Sequence, residues 1–215
     1  MTSGLKIIVA EDHPMVRDAM AQTLRALFDE PHIIPVESQA ALDRAATAHP
    51  DTDLVLLDLN MPGARGFSSL LQLRASDIAW RVVVISAYAG SANIRRAKEF
   101  GAVGFIPKSA PVDVLQDALH RIVAGETWFP PLPDAGGGDP DLAARLAELT
   151  PQQLRVLTAL ADGLLNKQIA YDLGLAENTV KVHVSAVLRK LGINSRTQAA
   201  LIARALDPSV EGDGN

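Results

Sequence analysis

The chain has 215 residues, 48% of them hydrophobic, a net charge of −5 and no cysteine. This is ample for two modest buried cores and argues against global disorder, while disulfides and thiolate metal sites are excluded, as suits a reducing cytoplasm. No run reaches the ~18 apolar residues of a membrane span, and Met1–Ala10 lacks the marks of a signal peptide, so a cytoplasmic protein without a membrane partner is expected.

In chain order, the first half alternates short apolar runs with helical spacing. The strand candidates are Leu5–Ala10, His32–Val36, Leu54–Asp58, Arg81–Ser86 and Val103–Ile106. The intervening helices are predicted over Pro14–Phe28, Ser38–His49, Gly66–Ala75, Ser91–Phe100 and Pro111–Ala124. Five strands each followed by a helix predict an α/β fold, a flavodoxin-like doubly wound five-stranded parallel sheet covered on both faces. Pro35 marks the second strand as an edge. This first domain is expected over 1–124. A proline- and glycine-rich linker is predicted over 125–145, with Trp128 and Phe129 as candidates to dock on a domain.

The remainder reads as four short helices, Pro151–Asp162, Asn166–Leu173, Glu177–Leu191 and Ser195–Leu206, punctuated by Gly163, Gly174 and Gly192. A small all-α helix-turn-helix domain is expected over 146–207, followed by an acidic tail over 208–215. The charge divides along the same line. Residues 1–144 carry 12 basic and 18 acidic side chains, whereas 145–206 carry 8 basic and 4 acidic. A basic module joined to an acidic one points to an anionic partner for the second half.

In a doubly wound sheet, ligands bind outside the carboxyl ends of the strands. Here those ends carry Glu11 and Asp12, Asp58, Ser86 and Lys108. Converging carboxylates repel unless a cation neutralises them, and Mg2+ is suited to oxygen ligands beside a phosphate. A carboxylate can attack phosphorus to give an acyl phosphate, with a lysine and a hydroxyl stabilising the transferring oxygens. Each residue alone has a plainer role, as a helix cap, a turn residue or a solvated charge; their shared position at strand ends favours the chemistry.

On Glu177–Leu191, Val180, Val184, Val187, Leu188 and Leu191 form one inward stripe. Asn178, Lys181, Val182, Ser185 and Arg189 fall on the opposite face, where they suit the major groove of double-stranded DNA. Thr179, His183 and Lys190 flank the stripe and, with Lys167 on the preceding helix, suit phosphate contact. Such a polar face is otherwise simply solvated.

The segments Glu11-Asp12, Asp58-Leu-Asn-Met-Pro-Gly63, Ser86-Ala87 and Gly104-Phe-Ile-Pro-Lys108 resemble the receiver domain of two-component response regulators. Leu149-Thr-Pro151, Gly163-Leu-Leu-Asn-Lys-Gln-Ile-Ala170 and Asn178-Thr-Val-Lys-Val-His183 resemble the NarL/FixJ (LuxR-type) DNA-binding domain. The resemblance implies a transcriptional regulator rather than an enzyme, phosphorylated on Asp58 by a sensor histidine kinase and dimeric when active through its last helix. It implies Mg2+ ligation by Glu11, Asp12, Asp58 and the Asn60 carbonyl, phosphoryl contacts from Ser86 and Lys108, and a Phe105 ring that turns inward on activation.

Several positions depart from the family pattern. Pro107 precedes Lys108 instead of following it, and Arg155 stands where glutamate is common, implying a rearranged local salt bridge. Tyr88 puts a bulky ring near the pocket mouth and is expected to obstruct the hydrolytic water. Three rival readings remain. One is a constitutive DNA-binding protein with an unphosphorylated receiver, and another a signalling scaffold that does not touch DNA. The third is an aspartyl-phosphate phosphatase, disfavoured because Asn60 stands where a second acid is required.

Overall fold

The computed structural model describes residues 4–76, 78, 80–132 and 140–211. Strands β1 (Lys6–Ala10), β2 (His32–Val36), β3 (Leu54–Asp58), β4 (Arg81–Ser86) and β5 (Gly104–Pro107) form one parallel sheet in the order β2-β1-β3-β4-β5. The α/β expectation holds, with β2 at an edge. β3 sorts alternate residues onto two cores: Val55 and Leu57 face one, Leu54 and Leu56 the other. Both faces are covered, which is why the strand reads as an unbroken apolar run. Helices α1 (Pro14–Leu27) and α5 (Val112–Val123) close one face through Met20, Leu24, Leu119 and Ile122. Helices α2 (Gln39–Ala48), α3 (Ser68–Arg74) and α4 (Ser91–Glu99) close the other through Leu42, Leu70 and Ile94.

The chain then continues as α6 (Pro140–Ala147), α7 (Pro151–Ala161), α8 (Asn166–Leu173), α9 (Glu177–Leu191) and α10 (Arg196–Arg204), ending in a 3-10 turn over Pro208–Glu211. Thr150 opens α7 with a reciprocal capping box, its hydroxyl accepting from the Gln153 N–H and its own N–H donating to Gln153 Oε1. Gly192 closes α9 at φ 66°, a left-handed cap that an L side chain resists.

The stretch expected as a linker holds two ordered pieces. Trp128 lies beside β5, its N–H donating to the Val103 carbonyl and its carbonyl accepting from the Phe105 N–H, both at 3.0 Å. α6 is the second piece; its buried Ala143 and Leu146 pack it against the helical core. Residues 133–139 of that stretch, and 212–215 of the expected acidic tail, lie outside the described residues. No helix among the described residues is long and apolar enough to cross a membrane.

The two halves share a face. α6 and α7 pack on α3, and Leu149, Leu154 and Leu157 belong to the same continuous buried cluster as Phe67 and Leu70. Arg155, expected to rearrange a local salt bridge, reaches instead across to α2, with Nη2 2.7 Å from Asp43 Oδ2. Arg65 pairs with Asp162 across the same boundary. Both pairs are substantially exposed, so each contributes at most about 1 kcal/mol; the apolar contact dominates.

Candidate acceptor pocket and nucleic-acid interface

The carboxyl ends of β1, β3 and β4 and the residue after β5 converge on one pocket. Glu11 and Asp58 are buried, at 4% and 3% exposure, and Ser86 at 1%. Lys108 Nζ lies 2.6 Å from Glu11 Oε2 and 2.9 Å from Asp58 Oδ2. Asp58 Oδ1 accepts from the Asn60 N–H at 3.1 Å, and Ser86 Oγ from the Tyr88 N–H at 3.1 Å. The Lys108 N–H donates to the Ser86 carbonyl at 2.9 Å, fixing the lysine over the pocket despite the preceding Pro107.

Burial by itself depresses the Lys108 ammonium, but its hydrogen bonds to Glu11 and Asp58 and their charges outweigh this and hold its pKa above the ordinary 10.5. The sign follows: a raised folded-state value gives a contribution complete below 10.5 and lost as pH rises through the higher value. At neutral pH the lysine is therefore a full counter-charge.

One cation among three carboxylates leaves the pocket short of positive charge. Asp12 Oδ1 is buried and has no hydrogen-bond partner among the described residues. His13 Nδ1 lies 2.8 Å away, but it is oriented to bond Glu11 Oε1 instead. Clustered carboxylates, one oxygen of which has no hydrogen-bond partner, fit a hard divalent cation such as Mg2+, with the exposed His13 imidazole at their edge. Arg17 is a contributor the sequence reading missed: its guanidinium donates to the Glu11 carbonyl at 2.8 Å and steadies the turn carrying both acids. Nothing in its place on an amphipathic helix distinguishes it from a solvated arginine.

Phe105 lies inward in this structure. Its ring is fully buried, in one cluster with Phe67, Ile94 and Ala97. Its backbone is held from the outer side by Trp128. An inward swing has no outward starting point in this structure.

On α9 the inward stripe forms as the periodicity requires, with Val180, Val187 and Leu191 buried and Val184 and Leu188 partly so. Asn178, Thr179, Lys181, Val182, Ser185 and Arg189 are exposed together, Val182 at 67%. Lys167 is exposed on α8, and His183 is half-buried. The receiver half covers none of the exposed set. Lys181 Nζ rests 3.2 Å from Glu177 Oε1, a weak exposed pair. Lys190 differs: its ammonium donates to the Glu148 carbonyl at 2.7 Å and to Gln153 Oε1 at 2.9 Å, tying the end of α9 to the start of α7. Lys190→Ala is therefore expected to lower stability by about 1 kcal/mol, read as a fall in Tm, while leaving the salt dependence of DNA binding unchanged. A reduced salt slope with unchanged Tm would return Lys190 to the phosphate contacts.

The family model for the response regulator receiver domain matches residues 7–120, and that for bacterial regulatory proteins of the luxR family matches 147–203. The chain belongs to the response regulators that join a receiver to a LuxR-type helix-turn-helix, and it is a DNA-binding transcriptional regulator. It is 39% identical over 218 residues to the Glycerol metabolism activator of Pseudomonas putida, covering 94% of this chain and 96% of that one. It is 34% identical over 206 residues to the Nitrate/nitrite response regulator protein NarL of Escherichia coli K12, covering 91% and 93%. Among solved structures it is similar to a LuxR family DNA-binding response regulator from Silicibacter pomeroyi, at 31% identity and TM-score 0.52, covering 59% of this chain and 97% of that one. In fold alone it is similar to RcsB from Salmonella enterica serovar Typhimurium bound to promoter rprA in the presence of phosphomimetic BeF3−, at 22% identity and TM-score 0.54, covering 94% and 99%.

Proposed function

We propose that Asp58 accepts a phosphoryl group from the phosphohistidine of a sensor kinase and that this controls promoter binding by α9. The observation that supports it best is the Lys108 ammonium bridging Glu11 and Asp58 beside the orphaned Asp12 oxygen. A carboxylate oxygen of Asp58 attacks phosphorus, forming a P–O bond as the P–N bond to the donor imidazole breaks; the leaving imidazole takes its proton from solvent. Lys108 moves from Asp58 toward the incoming phosphoryl oxygens, and Ser86 Oγ–H donates to another. Glu11, Asp12, Asp58 and the Asn60 carbonyl would hold Mg2+, which supplies charge neutralisation at those oxygens.

On the DNA side, Arg189, Lys181 and Asn178 reach base edges, Val182 suits the methyl of thymine, and Thr179, His183 and Lys167 contact phosphate. One such helix makes few contacts, so two copies on paired half-sites are required for tight binding. Leu201, 61% exposed on α10, offers an apolar contact for that dimer.

Gel shifts on genomic fragments with and without acetyl phosphate and Mg2+, comparing wild type with Asp58→Asn, test the reading. Phosphorylation-dependent binding is expected in wild type alone. Equal binding in every condition would reject the switch while sparing DNA recognition. At the pocket mouth, Tyr88→Ala is expected to shorten the lifetime of the phosphorylated protein several-fold; an unchanged half-life means the ring does not exclude water.

A further inference from the structure

We propose that the C-terminal turn is a strap seated in a groove of the receiver, and that loading of Asp58 loosens it. Leu206 is 4% exposed, and its carbonyl accepts from the Phe67 N–H at 2.9 Å. Pro208 is buried behind it. Opposite, Asn93 on α4 is 4% exposed, and its Nδ2 donates both to the Pro208 carbonyl at 3.1 Å and to the Tyr88 carbonyl at 3.2 Å. Two carbonyl partners fix the amide orientation, since only the NH2 end can donate to both. The floor of the groove is Gly66, at φ 53°, where an added Cβ would stand 2.1 Å from the Leu206 carbonyl oxygen and 2.5 Å from Pro208 Cδ. Glycine there admits the strap twice over, by its backbone angle and by the space it leaves.

These contacts form a short chain leading to the acceptor pocket. Ser86 Oγ accepts from the Tyr88 N–H, the Tyr88 carbonyl accepts from Asn93, and Asn93 holds Pro208. When Ser86 turns to a phosphoryl oxygen, the Tyr88 N–H loses its partner. The 87–88 backbone then shifts, and the amide that grips the strap loses one of its two anchors. The ion pairs Arg65–Asp162 and Arg155–Asp43 are exposed and too weak to hold the interface alone. The proposal rests on the reading of Asp58 as the phosphoryl acceptor. Because coupling is reciprocal, whatever breaks the strap must raise the affinity of the pocket for a phosphoryl mimic by the same factor that the mimic loosens the strap.

The test uses the full chain with Mg2+ and fluoroberyllate. Bound fluoroberyllate is followed by fluorine NMR, and strap opening by hydrogen exchange of the Phe67 amide and the 206–211 segment. Fluoroberyllate is expected to speed exchange there by about fivefold or more, and Asn93→Ala to do so without it. A chain ending at Asp207, which leaves Asn93 intact, is expected to match Asn93→Ala and, like it, to bind fluoroberyllate about fivefold more tightly than wild type. Absence of a bound fluorine signal in wild type would defeat the Asp58 reading and the strap with it. A bound signal with unchanged exchange, or variants with wild-type affinity, would defeat the strap alone.

Discussion

Replacement of Asp58 by asparagine is expected to abolish phosphorylation by acetyl phosphate while leaving the fold intact. The substitution keeps the volume at a position 3% exposed and retains an oxygen to accept from the Asn60 N–H. It removes one of three clustered carboxylates, and Lys108 keeps its closer partner, Glu11 at 2.6 Å. Relief of repulsion offsets the lost ion pair, so Tm should be unchanged or raised, where removal of one partner from a simple buried pair would cost about 3–5 kcal/mol. Phosphate-affinity electrophoresis and a thermal melt read the two halves. A phosphorylated band in Asp58→Asn would move the acceptor elsewhere; a lowered Tm would mean that the lysine depends on Asp58 for its place.

The second large effect is on α9. Lys181→Ala and Arg189→Ala should each weaken DNA binding about tenfold or more, and they should differ in kind. Both side chains are exposed, so stability should change by less than about 0.5 kcal/mol. If Lys181 serves mainly as a charge, its loss weakens all sequences alike and lowers the salt slope by about 1 per copy. If Arg189 reads a guanine edge, its loss costs about 1–3 kcal/mol of discrimination at one base pair. Titrations on specific and scrambled duplexes across salt separate the two. Identical loss on both duplexes for Arg189→Ala would assign that side chain to the backbone.

The convergence of Glu11, Asp58, Ser86 and Lys108 was legible because these residues lie at the ends of strands whose spans follow from periodicity. β2, β3 and β4 match the sequence reading residue for residue, and with them the places of Asp58 and Ser86. The exposed face of α9 was legible for the same reason, since a 3.6-residue repeat sorts its side chains without tertiary information. What escaped was set by contacts between distant segments. The bond from Lys190 to a carbonyl 42 residues away is one such contact. Arg155, Gly66 and Asn93 look solvated or incidental until the two halves close on each other. α6 was hidden by the glycines that precede it and the proline that opens it, although Leu142 and Leu146 carry helical spacing. Phe105 was named from resemblance; that its ring lies buried with Phe67 and Ile94 comes from packing between distant segments.

That tryptophan also bears on how copies of the protein can meet. An edge strand with free amides and carbonyls is a template for a foreign strand. At β5 the Val103 carbonyl and the Phe105 N–H are already used by Trp128. At β2 the amides alternate between β1 and the outside. The His32 N–H bonds to Leu5 and the Val36 carbonyl receives Glu11, so Pro35, with no N–H to offer, faces outward. Neither margin of the sheet invites extension. Copies of the chain can therefore associate through helices and side chains without their sheets fusing into aggregates.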